Sequence, residues 1–215
     1  MTTKIKICGL TSPEAIDSVV KNGADYIGFV FFQKSPRNIS PQMAAKLSAQ
    51  IPSNVKKVAV LVNADNAMID GILKYFSPDI LQCHGSETLE RISEIKSKYQ
   101  LPVIKAISVR SDDDISIGAK YASVADMLLF DAKSPATSMP GGNGLAFDWK
   151  LLQGREFNVP WFLSGGLNIQ NVNEALDITG APAVDASSSL ESEPGKKDPG
   201  FINIFIQKVK NYAKH

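Results

Sequence analysis

The chain has 215 residues, of which 44% are hydrophobic and 21% are charged, and its formal net charge is +1. This composition is typical of a globular protein and excludes an intrinsically disordered chain. The nearly balanced charge gives no reason to expect a nucleic acid or an anionic membrane as partner. No apolar run approaches the roughly 20 residues that are needed to span a bilayer.

The chain contains two cysteines, Cys8 and Cys83, and two histidines, His84 and His215. So few thiols favour a reduced compartment over a disulfide framework. The first strand begins too close to Met1 for a signal peptide, so we expect a cytoplasmic protein. Because tetrahedral zinc sites draw mainly on Cys and His, we expect no metal site and no other cofactor.

Eight short apolar runs of strand length recur along the chain, and each is followed by turn residues. They cover residues 5–8, 24–32, 58–62, 80–83, 103–107, 127–130, 161–164 and 183–186. Branched and aromatic residues dominate these runs, a pattern typical of strands that are covered on both faces.

Helix-start signals lie between these runs. Three of them pair a capping side chain with proline at the first helical position: Ser12-Pro13, Ser40-Pro41 and Asp198-Pro199. The segment between the sixth and seventh strands is different, because Pro135, Pro140 and several glycines interrupt it. We predict a long loop there, followed by a short helix near residues 147–150, and long loops in compact domains are commonly functional.

Eight strands that alternate with helices, without a linker, predict a single (β/α)₈ TIM barrel that forms one domain over residues 1–215. A doubly wound open sheet is the rival architecture. It normally carries a glycine-rich dinucleotide fingerprint after the first strand, and this chain has none there.

Barrels of this class carry their chemistry at the carboxyl ends of the strands. Cys8 ends the first strand, where its thiol is either a reactive group at the mouth or a small apolar core residue. Asp131 follows the sixth strand, and a carboxyl group in an apolar setting holds its proton more readily, which suits a general acid. The alternative for Asp131 is a helix cap or an ion pair, and Asp185 at the end of the eighth strand has the same two interpretations.

Three further polar side chains follow the second and fourth strands. Arg37 is suited to bidentate binding of a substrate carboxylate, although a single Arg in a polar loop is often only a solvated charge. Gln82 and His84 are candidate substrate-binding residues at the mouth, with a hydrogen-bonded rim histidine as the alternative for His84. Neighbouring strand residues point to opposite faces, so Cys83 and His84 do not form a metal-ligand pair.

The loops after the seventh and eighth strands predict a phosphate site. Gly165 and Gly166 allow close approach of the backbone to an anion, and Ser188 and Ser189 lie in the neighbouring loop. Barrels often bind phosphate at this pair of loops. The alternative for the glycine pair is a tight turn without a ligand.

Nine short stretches together resemble the phosphoribosylanthranilate isomerase family, cofactor-free barrel enzymes of tryptophan biosynthesis. They follow the family's order along the whole chain: KICGLT from Lys6, GFVF from Gly28 with SPR from Ser35, QCHG from Gln82, LFD from Leu129, GGNG from Gly141 with FDW from Phe147, SGGL from Ser164 and VDASS from Val184. The ordered set is specific, although no single segment is decisive.

The family catalyses an Amadori rearrangement, in which a ribosylamine phosphate on anthranilate becomes an open-chain 1-deoxyribulose phosphate. The resemblance implies that Asp131 protonates the ring oxygen to give a Schiff base, and that Cys8 then removes the proton from C2′. It also implies binding roles for the remaining candidates: Arg37 for the anthranilate carboxylate, Asp185 for the sugar, and the backbone of Gly165, Gly166, Ser188 and Ser189 for the phosphate.

Two positions depart from the family's pattern, which usually has glycine at Ser189 and leucine at Cys83. Serine at 189 is compatible with the phosphate loop if its backbone φ is negative. Two other functions stay open from the residues alone. One is a different sugar-phosphate isomerase or a Schiff-base lyase using Lys105 or Lys133, and the other is a phosphate-binding barrel without catalysis. We expect a phosphosugar substrate and either a monomer or a homodimer.

Overall fold

The computed structural model describes residues 2–132 and 147–212, and its centre is a closed barrel of eight parallel strands in sequential order. The strands are β1 (Lys4–Cys8), β2 (Tyr26–Phe31), β3 (Lys56–Leu61), β4 (Ile80–Cys83), β5 (Val103–Val109), β6 (Met127–Ala132), β7 (Trp161–Leu163) and β8 (Ala183–Ala186). β8 pairs with β1 and closes the barrel. The predicted TIM barrel is therefore confirmed.

Helices connect the strands on the outside of the barrel. They are α1 (Pro13–Asn22), α2 (Pro41–Ser48), α3 (Asn66–Leu73), α4 (Leu89–Tyr99), α5 (Asp112–Ala119), α6 (Val172–Thr179) and α7 (Pro199–Lys210). The predicted caps are confirmed, since Ser12, Ser40 and Asp198 accept hydrogen bonds from the backbone of the first turns of α1, α2 and α7. No helix in the described ranges combines the length and the apolar character that a membrane span requires.

Side-chain alternation along the strands produces two apolar layers. One fills the barrel and includes Cys8, Ile104 and Leu129, whereas the larger one lies between the sheet and the helices. Ile5 and Ile7 belong to the outer layer, so β1 directs its odd-numbered residues to the helices and its even-numbered ones inward. This alternation decides which polar side chains reach the interior of the barrel.

The amino-terminal end of the barrel carries a repeated backbone clasp. Asp25, Asp79 and Asp126 immediately precede β2, β4 and β6, and each carboxylate accepts the N–H of a residue in the preceding strand. The three N···O distances are 2.9, 2.8 and 2.9 Å. These floor clasps tie neighbouring strands together at the end of the barrel opposite the mouth.

Three details differ from the sequence-based expectations. β6 extends to Ala132, so Asp131 lies inside the strand rather than after it. The short helix before β7 is a 3₁₀ helix over Trp149–Leu152, slightly later than predicted, and residues 133–146 of the predicted loop lie outside the described part of the chain. Beyond β8, a 3₁₀ turn (Ser188–Leu190) leads into an unpredicted hairpin of β9 (Glu191–Glu193) and β10 (Lys196–Lys197).

Candidate active site

Cys8 lies at the carboxyl end of β1 and belongs to the apolar cluster inside the barrel, with 7% of its surface exposed. Lys6 is two residues earlier on the same strand and therefore on the same face. Its side chain is fully buried, and its Nζ lies 2.9 Å from Oδ1 of Asp185, its partner in the β1–β8 ladder. The thiol thus sits beside a buried ion pair.

Burial and charge act on the Cys8 thiol in opposite directions. Burial raises the pKa of Cys8, and the Lys6 and Lys197 ammonium groups oppose that shift without cancelling it. Burial also raises the pKa of Asp185, although Lys6 opposes it. For Lys6, burial disfavours the charge, but Asp185 and Cys8 outweigh it and raise the pKa of the ammonium group.

On the other side of the mouth, Asp131 is held by a chain of hydrogen bonds. Its Oδ2 lies 3.1 Å from Nε2 of His84, and Nδ1 of His84 lies 2.9 Å from Nε2 of Gln82. With the Gln82 amide as donor, Nδ1 accepts and the His84 Nε2–H is directed to Asp131. Gln82 Oε1 is buried and has no hydrogen-bond partner among the described residues, so it remains an acceptor inside the barrel.

The two halves of the site are electrostatically connected. The charges of Lys6, Asp131 and His84 all act on the pKa of the Asp185 carboxyl group. The structure therefore brings Cys8, Asp131, Asp185, Gln82 and His84 to the same end of the barrel interior, as the sequence predicted.

Arg37 follows β2 and is anchored at the rim. Its Nε and Nη2 donate to the two carboxylate oxygens of Glu191 at 2.7 and 2.9 Å. Its side chain passes over Gly9, where a Cβ atom would lie 2.6 Å from Arg37 Cδ, so the glycine beside Cys8 makes room for it. These contacts exclude the interpretation of Arg37 as a solvated surface charge. Binding of a substrate carboxylate by Arg37 stays a prediction.

The two candidate phosphate loops lie side by side. Gly165 and Gly166 have φ of +84° and +68°, and a Cβ on Gly165 would lie 2.5 Å from the backbone nitrogen of Ala132. Ser189 Oγ donates to the Leu167 carbonyl and joins the two loops. Within residues 2–132 and 147–212, the N–H groups of Gly165, Gly166, Ser188 and Ser189 make no hydrogen bond, which leaves them free for an anion.

Both departures from the family's pattern are compatible with the fold. Asn63 and Gln100 are the only described non-glycine residues with positive φ, so Ser189 is unstrained. Cys83 packs in the outer layer, where burial raises its pKa to about 12. It is an apolar core residue, as expected for its position next to the inward-facing His84.

Lys105 does not point into the barrel, which removes it as a Schiff-base lysine. It lies on the outer face of β5, where its Nζ is 2.8 Å from Oε2 of Glu87 and 2.7 Å from the Gly85 carbonyl oxygen. Lys133 lies outside the described residues. Among the described residues, Lys6 is a buried lysine that points inward, and the sequence analysis missed it although it shares the face of Cys8 in the alternating run KIKIC.

Two other residues near the mouth were also missed. Glu191 and Lys197 lie in the β9–β10 hairpin, where the Lys197 ammonium group contacts the Glu191 carboxylate. The Pro194-Gly195 pair is a turn signal that predicts such a hairpin. No cluster of three or more Cys, His, Asp or Glu side chains suited to a metal ion occurs in the described ranges.

A closed α/β barrel with polar side chains gathered at the carboxyl ends of its strands is the architecture of TIM-barrel enzymes. The family model for N-(5′-phosphoribosyl)anthranilate isomerase matches residues 5–208. The chain belongs to this family. The family resemblance in the sequence is therefore confirmed, and so is the prediction that the protein is an isomerase of tryptophan biosynthesis.

Individual relatives agree with this family over nearly their whole length. The N-(5′-phosphoribosyl)anthranilate isomerase of Parvibaculum lavamentivorans is 52% identical over 213 residues, which cover 98% of this chain and 99% of that protein. The crystal structure of the Thermotoga maritima isomerase has a TM-score of 0.87 at 37% identity, covering 97% of this chain and 99% of that one. A further structure of the isomerase, in complex with reduced 1-(o-carboxyphenylamino)-1-deoxyribulose 5-phosphate, has a TM-score of 0.84 at 36% identity, with coverages of 97% and 99%.

Proposed function

We propose that this chain converts N-(5′-phosphoribosyl)anthranilate into 1-(2-carboxyphenylamino)-1-deoxyribulose 5-phosphate, with Asp131 as general acid and Cys8 as general base. The observation that carries the proposal is the placement of these two groups on the inner faces of β6 and β1, at the same end of the barrel. An aldose-to-ketose shift through an imine requires one proton donor and one proton acceptor, and this pair supplies both.

The first step is protonation of the furanose ring oxygen by Asp131. The C1′–O bond then breaks, and the nitrogen lone pair forms the C1′=N bond of a protonated Schiff base. Asp131 is left as a carboxylate, which accepts hydrogen bonds from the His84 ring and from the Ala132 N–H at 3.0 Å. These donors stabilise the charge that develops on the acid, so they favour ring opening.

The second step is removal of the C2′ proton by Cys8. The electron pair of the C–H bond moves into a C1′=C2′ double bond, and the cationic nitrogen becomes neutral. Because burial raises the pKa of Cys8, the protein surroundings alone favour the thiol. The protonated Schiff base adds a positive charge beside it, and together with Lys6 and Lys197 this charge favours the thiolate when the base is needed. The enolamine then relaxes to the ketone.

The remaining candidates bind and orient the substrate. The free N–H groups of the loops after β7 and β8 hold the phosphate, and Arg37 pairs with the anthranilate carboxylate. Gln82 Oε1 and the Asp185 carboxylate are acceptors for sugar hydroxyl groups. We further propose that residues 1–215 act as one isomerase domain; a monomeric or homodimeric state and a cytoplasmic location stay predictions.

The experiment that tests the proposal is a fluorescence assay of phosphoribosylanthranilate consumption by the wild type, Cys8→Ser and Asp131→Asn. Each substitution removes one proton-transfer group at nearly constant volume, so kcat should fall by at least about 100-fold. Near-normal turnover of either variant would remove that residue from the mechanism. Substrate binding by the wild type without turnover would support a non-catalytic barrel instead.

A Schiff-base lyase is tested by borohydride reduction in the presence of the phosphosugar. We expect no trapped adduct, because the Lys6 ammonium group is paired with Asp185 and its pKa is raised, which makes it a poor nucleophile. A covalent adduct on Lys6 or Lys133 would contradict the proposed chemistry.

A further inference from the structure

The β9–β10 hairpin contacts the loop after β2 and holds Arg37. The contact is made by Glu191, whose two carboxylate oxygens accept from Nε and Nη2 of Arg37. Both side chains are almost fully shielded, with 10% of Arg37 and 4% of Glu191 exposed. A bidentate contact of this kind, shielded from solvent, fixes the plane of the guanidinium group.

One hydrogen bond within the hairpin and two contacts with neighbouring loops hold the hairpin in place. The Gly195 N–H donates to Glu191 at 3.0 Å, and the Gly195 carbonyl accepts from Thr11 Oγ1 at 3.1 Å. A Cβ on Gly195 would lie 2.4 Å from the Pro36 carbonyl oxygen, so the hairpin tip packs directly on the loop that carries Arg37. Glu191 is thereby held in place from outside the barrel.

Glu191 is charged in this setting. Burial opposes its ionisation, but the hydrogen bonds from Arg37 and the charge of Lys197 outweigh burial and lower the pKa of Glu191. A stable carboxylate therefore faces one edge of the guanidinium group.

Glu191 leaves the other edge of the guanidinium group without a described hydrogen-bond partner at Nη1. Arginine has five N–H donors, and Glu191 uses the Nε–H and one N–H of Nη2. The edge formed by Nη1 and Nη2 keeps a complete fork of donors, and Nη1 makes no hydrogen bond to any residue in the described ranges. Such a fork matches the two oxygens of a second carboxylate.

We propose that Glu191 is a positioning residue, which occupies the Nε/Nη2 edge of Arg37 so that the Nη1/Nη2 edge is presented to the substrate carboxylate. The inference rests on the proposed function, since it assumes that Arg37 recognises the anthranilate carboxylate. Glu191 itself does not touch the substrate. It acts through Arg37 and makes the enzyme selective for a ribosylamine that carries a carboxylate.

The test compares two substrates, N-(5′-phosphoribosyl)anthranilate and the corresponding aniline compound, which lacks the carboxylate. The measured quantity is the ratio of kcat/KM for the two. Arg37→Met should lower this ratio by about 100-fold, and Glu191→Gln should lower it by about tenfold, mainly through KM for the anthranilate substrate. Adding Glu191→Gln to Arg37→Met should produce no further change, because Glu191 acts through Arg37.

The matched control is Glu87→Gln, which also replaces a buried carboxylate paired with a lysine, but whose partner Lys105 lies on the outer face of the sheet. It should lower the thermal stability and leave the substrate ratio unchanged. If Glu191→Gln does not fold, Glu191→Asp replaces it as the test variant. Its side chain is one methylene group shorter, which moves the carboxylate away from Arg37 and should lower the same ratio.

The possible failures are distinct. If Arg37→Met lowers the ratio but the Glu191 variants do not, or if the Glu191 effect adds to that of Arg37→Met, the positioning role is wrong and Arg37 keeps its role. If Arg37→Met leaves the ratio unchanged, carboxylate recognition by Arg37 is wrong as well. Absence of wild-type turnover with the anthranilate substrate would contradict the proposed function itself.

Discussion

Two buried lysines form the same kind of ion pair on opposite faces of the barrel sheet. Lys6 on β1 points inward and pairs with Asp185 at 2.9 Å, whereas Lys105 on β5 points outward and pairs with Glu87 at 2.8 Å. The first pair lies beside the Cys8 thiol. The second joins the strand to the loop before α4 and lies over the ring of Tyr121.

The two cysteines show the same contrast. Cys8 is in the inner layer near Lys6 and Lys197, and Cys83 is in the outer layer near the Lys105–Glu87 pair. Burial alone therefore does not separate a functional residue from a structural one. The face of the strand does, because only the inner face opens at the mouth.

The strongest test of this contrast is removal of each thiol in turn. Cys8→Ala should lower kcat by about 10²–10⁴-fold, because it deletes the proposed base. Cys83→Ala should keep kcat within about threefold of wild type and lower the free energy of unfolding by about 1 kcal/mol. The two values come from the fluorescence assay and from urea titration, and equal kcat values for the two variants would contradict the contrast.

The lysine pairs give the next largest effect. Lys6→Met and Lys105→Met each leave a buried carboxylate without its partner, so each should destabilise the protein by about 3–5 kcal/mol. Only Lys6→Met should also lower kcat of the folded fraction, by about tenfold or more, because it removes a cation beside Cys8. Urea titration measures the loss of stability, and rates normalised to active sites measure the loss of kcat. A similar loss of kcat in both variants would show that the inner and outer faces of the sheet do not differ in their effect on catalysis.

The inner thiol should impose a pH dependence on catalysis. The base is active as thiolate, and the raised pKa of Cys8 means that kcat/KM should increase with pH above neutrality, by up to about tenfold per pH unit. Lys197→Met removes a charge that lowers the Cys8 pKa, so the rise should move to higher pH. A profile of kcat/KM between about pH 6 and pH 10 measures this, and an unmoved profile would exclude Lys197 as an influence on the base.

The outer thiol should act on stability instead. Burial raises the pKa of Cys83 to about 12 in the folded state, above the ordinary thiol value of 9.0, so the folded state retains this proton where the unfolded chain loses it. The contribution of Cys83 is fully present below pH 9.0 and is lost as the pH rises toward about 12. Wild-type stability should fall there by up to about 1.4 kcal/mol per pH unit more steeply than that of Cys83→Ala. Parallel curves would show that this thiol is not desolvated.

The smallest effect is expected at the rim, where Ser189 links the two phosphate loops. Ser189→Gly removes the hydrogen bond to the Leu167 carbonyl and adds backbone freedom, so KM should rise by only about two- to fivefold with kcat unchanged. Steady-state kinetics with inorganic phosphate as competitor measures the effect. A large fall in KM would mean that serine impairs this loop.

Much of the barrel could be predicted from the sequence, because its local signals agree with its topology. The eight apolar runs predicted the strands, and Ser12, Ser40 and Asp198 predicted helix starts that the structure contains. The placement of Cys8 and Asp131 at the mouth was predicted from their positions near strand ends, whereas their inward direction depends on the alternation along each strand. These features depend on residues that are close in the chain.

The contacts around Arg37 could not be predicted in this way. Its partner Glu191 is separated from it by 154 positions, and the β9–β10 hairpin that carries Glu191 has strands of only three and two residues. Lys6 was missed for a different reason. A lysine in an alternating strand is ordinarily read as solvent-exposed, and its partner Asp185 comes from the strand that closes the barrel.

The floor clasps of Asp25, Asp79 and Asp126 separate two tasks along the barrel axis. They join neighbouring strands through backbone hydrogen bonds at the amino-terminal end, whereas Cys8, Asp131 and the phosphate loops lie at the carboxyl end. Strand registration therefore depends little on which side chains occupy the opposite rim. Replacing the loops at the carboxyl end is therefore a way to change the reaction of this barrel in a redesigned enzyme. The floor clasps at the amino-terminal end would be kept.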